Sequence, residues 1–237
     1  MKLRAVLGLL FLASAGQIFA QAPKTLADRG FVPLGMAIDR TKGLIYSVSQ
    51  TSDTLLVRHT GSNAVLATVS VGTHPVAVAL NKPAGLVYVA NQGSSNLTII
   101  DENTDAVTNT MPLGFSPLNL AVNSVTNRIY VVNEASNEIA VLDAGSGAKL
   151  AAVKVDAKPM AIIVNAKTNR IYVASSSGGI VSVIDGESND VIASVAVSPD
   201  PIALVLDRSR NFVYVGYYNR NEVSMIDGRS YAVSPAR

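Results

Sequence analysis

His59 and His74 are the only imidazoles in a chain of 237 residues that contains no cysteine. Thiolate catalysis, disulfides and thiolate metal sites are therefore closed to it. Two histidines could join carboxylates at a metal, but nothing in their spacing demands one. No HExxH, GxSxG, phosphate-loop or haem-attachment motif occurs. The sequence thus assigns no catalytic residue, no metal site and no cofactor. What remains is contact chemistry. Tyr217, Tyr218 and Arg220 in "YYNRNE" combine aromatic side chains with a guanidinium, a common composition at interfaces. Asn91, Asn133, Glu134, His74, Phe115 and Lys158 are the other candidates. Such a set suits a protein, a peptide or an envelope glycan.

The elements that must position these residues follow from a repeat. Tyr46, Tyr88, Tyr130, Tyr172 and Tyr214 are spaced by 42 residues. Pro33, Pro75, Pro117, Pro159 and Pro201 keep the same step, as do Asp101, Asp143, Asp185 and Asp227, with His59 in the first place of the Asp series. Such a period defines a repeat architecture. The side chains within each unit follow a two-residue rhythm of β-branched and aromatic residues, as in "RIYVV" and "VSVID", and no helical period is sustained. One unit, 75–116, reads as strands a (Val76–Leu80), b (Leu86–Ala90), c (Leu97–Asp101) and d (Ala106–Met111), separated by turn-forming residues. Four short strands per unit of this length define an all-β fold, a β-propeller of antiparallel four-stranded blades. The repeats are 33–74, 75–116, 117–158, 159–200 and 201–237, giving five blades.

The recurring residues carry structural readings. Each Pro precedes strand a, where a missing donor costs nothing. Each Asp ends strand c, where its carboxylate can accept N–H bonds in the following turn. Each Tyr is expected between blades. Function is then expected where the repeat is broken, in the d–a and b–c loops that share one face. All nine candidates lie there.

Residues 1–20 read as a signal peptide: Lys2 and Arg4, an apolar "AVLGLLFLA" too short to span a bilayer, and a small-residue site ending at Ala20. The expected location is periplasmic or secreted, without a lipid-anchoring Cys or a membrane span. Removing that segment leaves 17 basic and 17 acidic residues. This balance disfavours nucleic acid and anionic lipid as partners. A local basic patch stays open through Lys154, Lys158, Lys167, Arg170, Arg208 and Arg210.

"RIYVVNEASNEIAVLD" (Arg128–Asp143) and "RIYVASSSGGIVSVID" (Arg170–Asp185) resemble the repeat of the YVTN-type β-propeller family, which includes YncE-like periplasmic propellers and surface-layer proteins. The resemblance spans about residues 33–230. It implies an exported propeller and, in its YncE-like branch, nucleic-acid binding. Lyase or redox-associated activity is the other alternative to a binding scaffold. The family's rings usually have seven blades, against five units here.

Ring closure has two candidate latches. Residues 21–32, through Ala22–Asp28, could pair beside Val223–Asp227, or "YAVSPAR" could supply the last strand itself. A closed ring would be a monomer. Failing closure, blades one and five would expose faces that invite self-association.

Overall fold

The computed structural model describes residues 33–218 and 220–235. The signal-peptide reading and the segment 21–32 lie outside the described residues. Twenty strands form five sheets, each an antiparallel meander in chain order. Blade 1 holds β1 (Pro33–Asp39), β2 (Leu44–Ser49), β3 (Thr54–His59) and β4 (Val65–Ser70). Blade 2 holds β5 (Pro75–Asn81), β6 (Leu86–Asn91), β7 (Asn96–Asp101) and β8 (Val107–Pro112). Blade 3 holds β9 (Asn119–Asn123), β10 (Arg128–Asn133), β11 (Glu138–Asp143) and β12 (Lys149–Lys154). Blade 4 holds β13 (Pro159–Asn165), β14 (Arg170–Ser175), β15 (Ile180–Asp185) and β16 (Val191–Ala196). Blade 5 holds β17 (Pro201–Asp207), β18 (Phe212–Tyr217), β19 (Val223–Asp227) and β20 (Val233–Pro235). The five-bladed, four-stranded organisation read from the repeat holds.

The outermost place in blade 5 belongs to β20, which pairs Ile226↔Val233, Met225↔Ser234 and Ser224↔Pro235. The C-terminal stretch is therefore the last strand. A pairing of Ala22–Asp28 beside β19 would need the position that β20 occupies.

The core lies between blades. Successive side chains of a strand point to opposite faces, so each central strand serves two junctions. At the first junction Tyr46, Val48, Leu55 and Val57 of blade 1 pack on Val78, Val87, Val89 and Ile100 of blade 2. The same positions, advanced by one or more repeats, form three further clusters joining blades 2 and 3, 3 and 4, and 4 and 5. Tyr46, Tyr88, Tyr130 and Tyr172 are fully buried there. The expectation of Tyr between blades is met at these four.

The inner strands pack in the series β1, β5, β9, β13, β17. No comparable packing joins β17 back to β1 among the described residues. Of the two outcomes open in the sequence, closure and exposed end blades, the described residues take the second: the blades form an open arc. Tyr214, fifth in the series, is only half-buried for this reason.

The tyrosine hydroxyls differ. Tyr88 Oη donates to the carbonyl of Ala144 at 3.1 Å, whereas Tyr172 Oη is buried with no partner among the described residues. Burial pushes the Tyr172 phenol up to about 12. Tyr88→Phe is expected to cost about 1 kcal/mol through the unpaired carbonyl left behind. Tyr172→Phe is expected to be neutral or slightly stabilising. Urea midpoints of the two variants check this, and equal losses would refute it.

Candidate functional site

Each blade has two ends. The d–a and b–c turns share one, and the a–b and c–d turns share the other. The first end carries the contact residues expected from sequence, but it does not present them as one surface. Tyr217 is 7% exposed, packs in the junction of blades 4 and 5, and donates its hydroxyl to Ser224 Oγ at 2.7 Å. Tyr218 is 50% exposed. The expected exposed aromatic pair is thus corrected: strand alternation sends its two members to opposite sides. Arg220 is exposed and lies 3.4 Å from Glu222.

Asn91 is fully buried, its amide donating to Asn96 Oδ1 and Thr98 Oγ1, both at 2.8 Å. It holds the b–c turn rather than facing a partner. Asn133 is half-buried at the end of β10, and Phe115 packs partly on the cluster between blades 2 and 3. Glu134 is exposed in a single 3-10 turn, Glu134–Ser136. His74 and Lys158 are exposed and stand before their prolines with φ of 49° and 59°. Each gives its backbone N–H to the preceding b–c turn, His74 to Asp53 Oδ1 at 2.8 Å and Lys158 to Asn137 Oδ1 at 2.9 Å. These two residues therefore stitch neighbouring blades.

The histidines sit at opposite ends of blade 1. His59 ends β3, where its Nδ1 accepts the backbone N–H of Ser62 at 3.2 Å, as Asp does in later blades. His74 lies beyond β4, a strand of six residues or about 20 Å. They cannot share a ligand.

The a–b and c–d end is built from small polar turns. Oδ1 of Asp101, Asp143, Asp185 and Asp227 accepts backbone N–H groups of the following turn, as expected. Asn81, Asn123 and Asn165 reach across to Asn127, Asn169 and Asn211 of the next blade at 3.1, 2.8 and 2.6 Å. The acceptors occupy the left-handed turn position, with φ of 51°, 51° and 60°. Blades 1 and 2 have Gly43 and Gly85 there. Asp39 replaces the donor Asn in blade 1, and Lys82 bridges to it at 2.6 Å. Beside this pair, Lys42 meets Glu102 at 3.2 Å and Tyr46 Oη donates to Glu102 Oε1 at 3.2 Å. Burial, reinforced by Glu102, holds the Tyr46 phenol above its usual range.

The basic series noted in sequence divides between the two ends. Lys154 pairs with Glu138 at 3.0 Å, and Lys158 lies on the d–a end. Lys167, Arg170 and Arg208 gather at the other end, where blades 4 and 5 enclose a groove of about 370 Å³. Arg229 joins them there. Sequence reasoning missed Arg229; the available signal was its replacement of Glu187 one repeat earlier.

A third surface is the outer side of blade 5. Tyr214, Val223, Met225 and Val205 repeat the positions of Tyr172, Val181, Val183 and Ile163. No described blade covers them, and Val205 is 47% exposed. Arg210, Phe212, Tyr214, Met225, Ser234 and Pro235 line a depression of about 400 Å³ on this side. The opposite terminus of the arc, on blade 1, exposes Met36 (54%) and Ile38 (43%).

Blades of this construction, stacked around inner strands, define a β-propeller. Solved structures similar to this chain include one such domain. Hydrazine synthase from Kuenenia stuttgartiensis matches at a TM-score of 0.76 and 18% identity, over 93% of this chain and 69% of that one. The β-propeller domain of Cps50 (Swd1) from Myceliophteria thermophila matches at 0.71 and 10%, over 84% and 65%. A functionally unknown protein from Desulfotomaculum acetoxidans matches at 0.76 and 15%, over 88% and 70%. The chain thus spans 65% to 70% of the length of these structures. No family model matches, and no curated protein matches.

Proposed function

We propose that this chain is an exported, non-catalytic β-propeller scaffold that binds a protein partner through the uncovered side of blade 5. The supporting observation is that side itself. It carries Tyr214, Val223 and Met225 in the register that buries Tyr172, Val181 and Val183 against the next blade. A surface patterned as an inter-blade face is suited to another blade. The uncovered terminus of blade 1, with Met36, Ile38 and Ile45 in the register of Val78, Leu80 and Val87, is the complementary face within this same chain. The partner is therefore a second copy, blade 5 of one against blade 1 of the next. Such head-to-tail contact extends rather than closes unless the rotation returns to the start. Export to the cell envelope accords with the basic and apolar N-terminus and with the YVTN-type repeat.

Light scattering tests the reading. The chain is expected at a multiple of its own monomer mass at micromolar concentration, and Tyr214→Lys is expected to return it to a single mass. A lysine there would place a charge in the apolar contact at a cost of several kcal/mol. A wild-type monomer at high concentration would sink the proposal, as would a Tyr214→Lys variant that still associates.

A further inference from the structure

The groove between blades 4 and 5 has no part in that contact and points to a second activity. Its rim carries Lys167 from the a–b turn of blade 4, Arg208 from the a–b turn of blade 5 and Arg229 from the c–d turn of blade 5. All three are exposed, and none has an ion pair or side-chain hydrogen bond among the described residues. Arg170, the fourth cation, is held by Asp185 at 2.9 Å. No carboxylate lines the groove. Asp207 and Asp227 lie at the starts of the same turns, but their Oδ1 atoms face inward onto backbone N–H groups.

The repeat shows that this is not a structural requirement. Lys167 occupies the position of Thr41, Pro83, Val125 and Ser209, and Arg229 that of Gly61, Asn103, Gly145 and Glu187. Each of these turns is made in the four other blades without its cation. The junction of blades 1 and 2 gives a sharper contrast. There the equivalent space holds Asp39 and Glu102, each matched to a lysine. At the junction of blades 4 and 5 the same two positions are Asn165 and Gly228. Both carboxylates are gone and the space is open, with Arg208 at the place of Lys82, Thr168 at that of Lys42, and Lys167 and Arg229 added.

Three unpaired cations raise the potential in a concave site, which favours an anion there. Two guanidiniums match the paired oxygens of a phosphoryl group. Thr168 and Tyr231 line the same groove, and the Thr168 hydroxyl is buried with no partner among the described residues. A volume of about 370 Å³ is that of a small-molecule site. We infer that the blade 4–5 groove binds a small molecule bearing phosphoryl groups, with Arg208, Arg229 and Lys167 as its anion-binding side chains.

Titration calorimetry with inorganic pyrophosphate tests this on the full chain. The expected result is saturable 1:1 binding, weakened at least tenfold by Arg208→Ala combined with Arg229→Ala. Arg229→Glu, which installs the residue of the preceding repeat, is expected to weaken it at least as much while leaving the urea midpoint unchanged. Lys149→Ala, which removes one exposed cation elsewhere, is expected to leave binding intact. Absence of binding would overturn the inference, and so would equal losses in the Lys149 control. A single-stranded oligonucleotide that binds more than tenfold tighter than pyrophosphate, and is lost with the same arginines, would replace the small ligand by nucleic acid. Because Tyr214 lies outside the groove, Tyr214→Lys is expected to retain pyrophosphate binding, which keeps this result separate from the assembly test.

Discussion

Tyr130→Ala is expected to destabilise the chain by about 3–5 kcal/mol, as large aromatic truncations in a packed core do. Tyr214→Ala, the same substitution two repeats later, is expected to cost about 1 kcal/mol or less. The two residues share their position in the second strand of a blade. They differ in what stands opposite. Tyr130 is fully buried against Ile162, Val164, Ile171 and Val173 of blade 4. Tyr214 is half-buried beside an open depression. Truncation at Tyr130 leaves a cavity that flanking sheets cannot collapse into, whereas at Tyr214 water fills the space. Urea denaturation in dilute protein, where association does not contribute, measures both. In a closed ring all five tyrosines would be equivalent, so equal losses at Tyr130 and Tyr214 would refute the open arc.

Asp39→Ala is expected to cost about 2 kcal/mol at neutral pH, in line with hydrogen bonds to a charged group. The carboxylate is buried and accepts from Thr41 N at 2.7 Å, Thr41 Oγ1 at 2.6 Å and Lys82 Nζ at 2.6 Å. Burial alone would raise its pKa. Lys82 and Thr41 together outweigh burial and hold it well below the ordinary value of 3.8. The sign follows from linkage. A carboxyl depressed in the folded state stabilises above its unfolded value, and that stability is lost as pH falls towards the folded value. The difference between wild type and Asp39→Ala should therefore be constant from about pH 5 to 7 and shrink below about pH 4. A difference that stays constant down to pH 2 would mean that packing, and not the charge, makes the contribution.

Much of this architecture is written in single residues. The spacing of Tyr88, Tyr130 and Tyr172 gave blades and a junction between them. The aspartates ending strand c predicted turns that the backbone bonds to Asp101, Asp143, Asp185 and Asp227 bear out. Closure was harder to read, because it depends on the angle at which blades stack, and no short segment encodes that angle. One clue was present. Ser47 and Arg58 stand where later blades have Val89, Val131, Val173 and Val215, or Ile100, Leu142, Ile184 and Ile226. Blade 1 thus departs from the repeat on its outward face, where no described blade packs. Tyr217 illustrates a different limit. Two adjacent aromatics at a strand end look like one patch, yet the pleat separates them. The groove between blades 4 and 5 needed residues from three turns brought together in space. Its basic members were visible singly, but Arg229 counted only once its position opposite the other two was known.

The last sheet completes itself with β20, and no described strand passes from one blade into another. The described blades are thus a row of nearest-neighbour couplings rather than a loop, and their thermodynamics should be those of a one-dimensional array. Losing an end unit removes one junction, whereas losing a middle unit removes two. Unfolding should therefore peel inward from the termini. Native-state hydrogen exchange should then show protection rising from blades 1 and 5 to a plateau in blade 3.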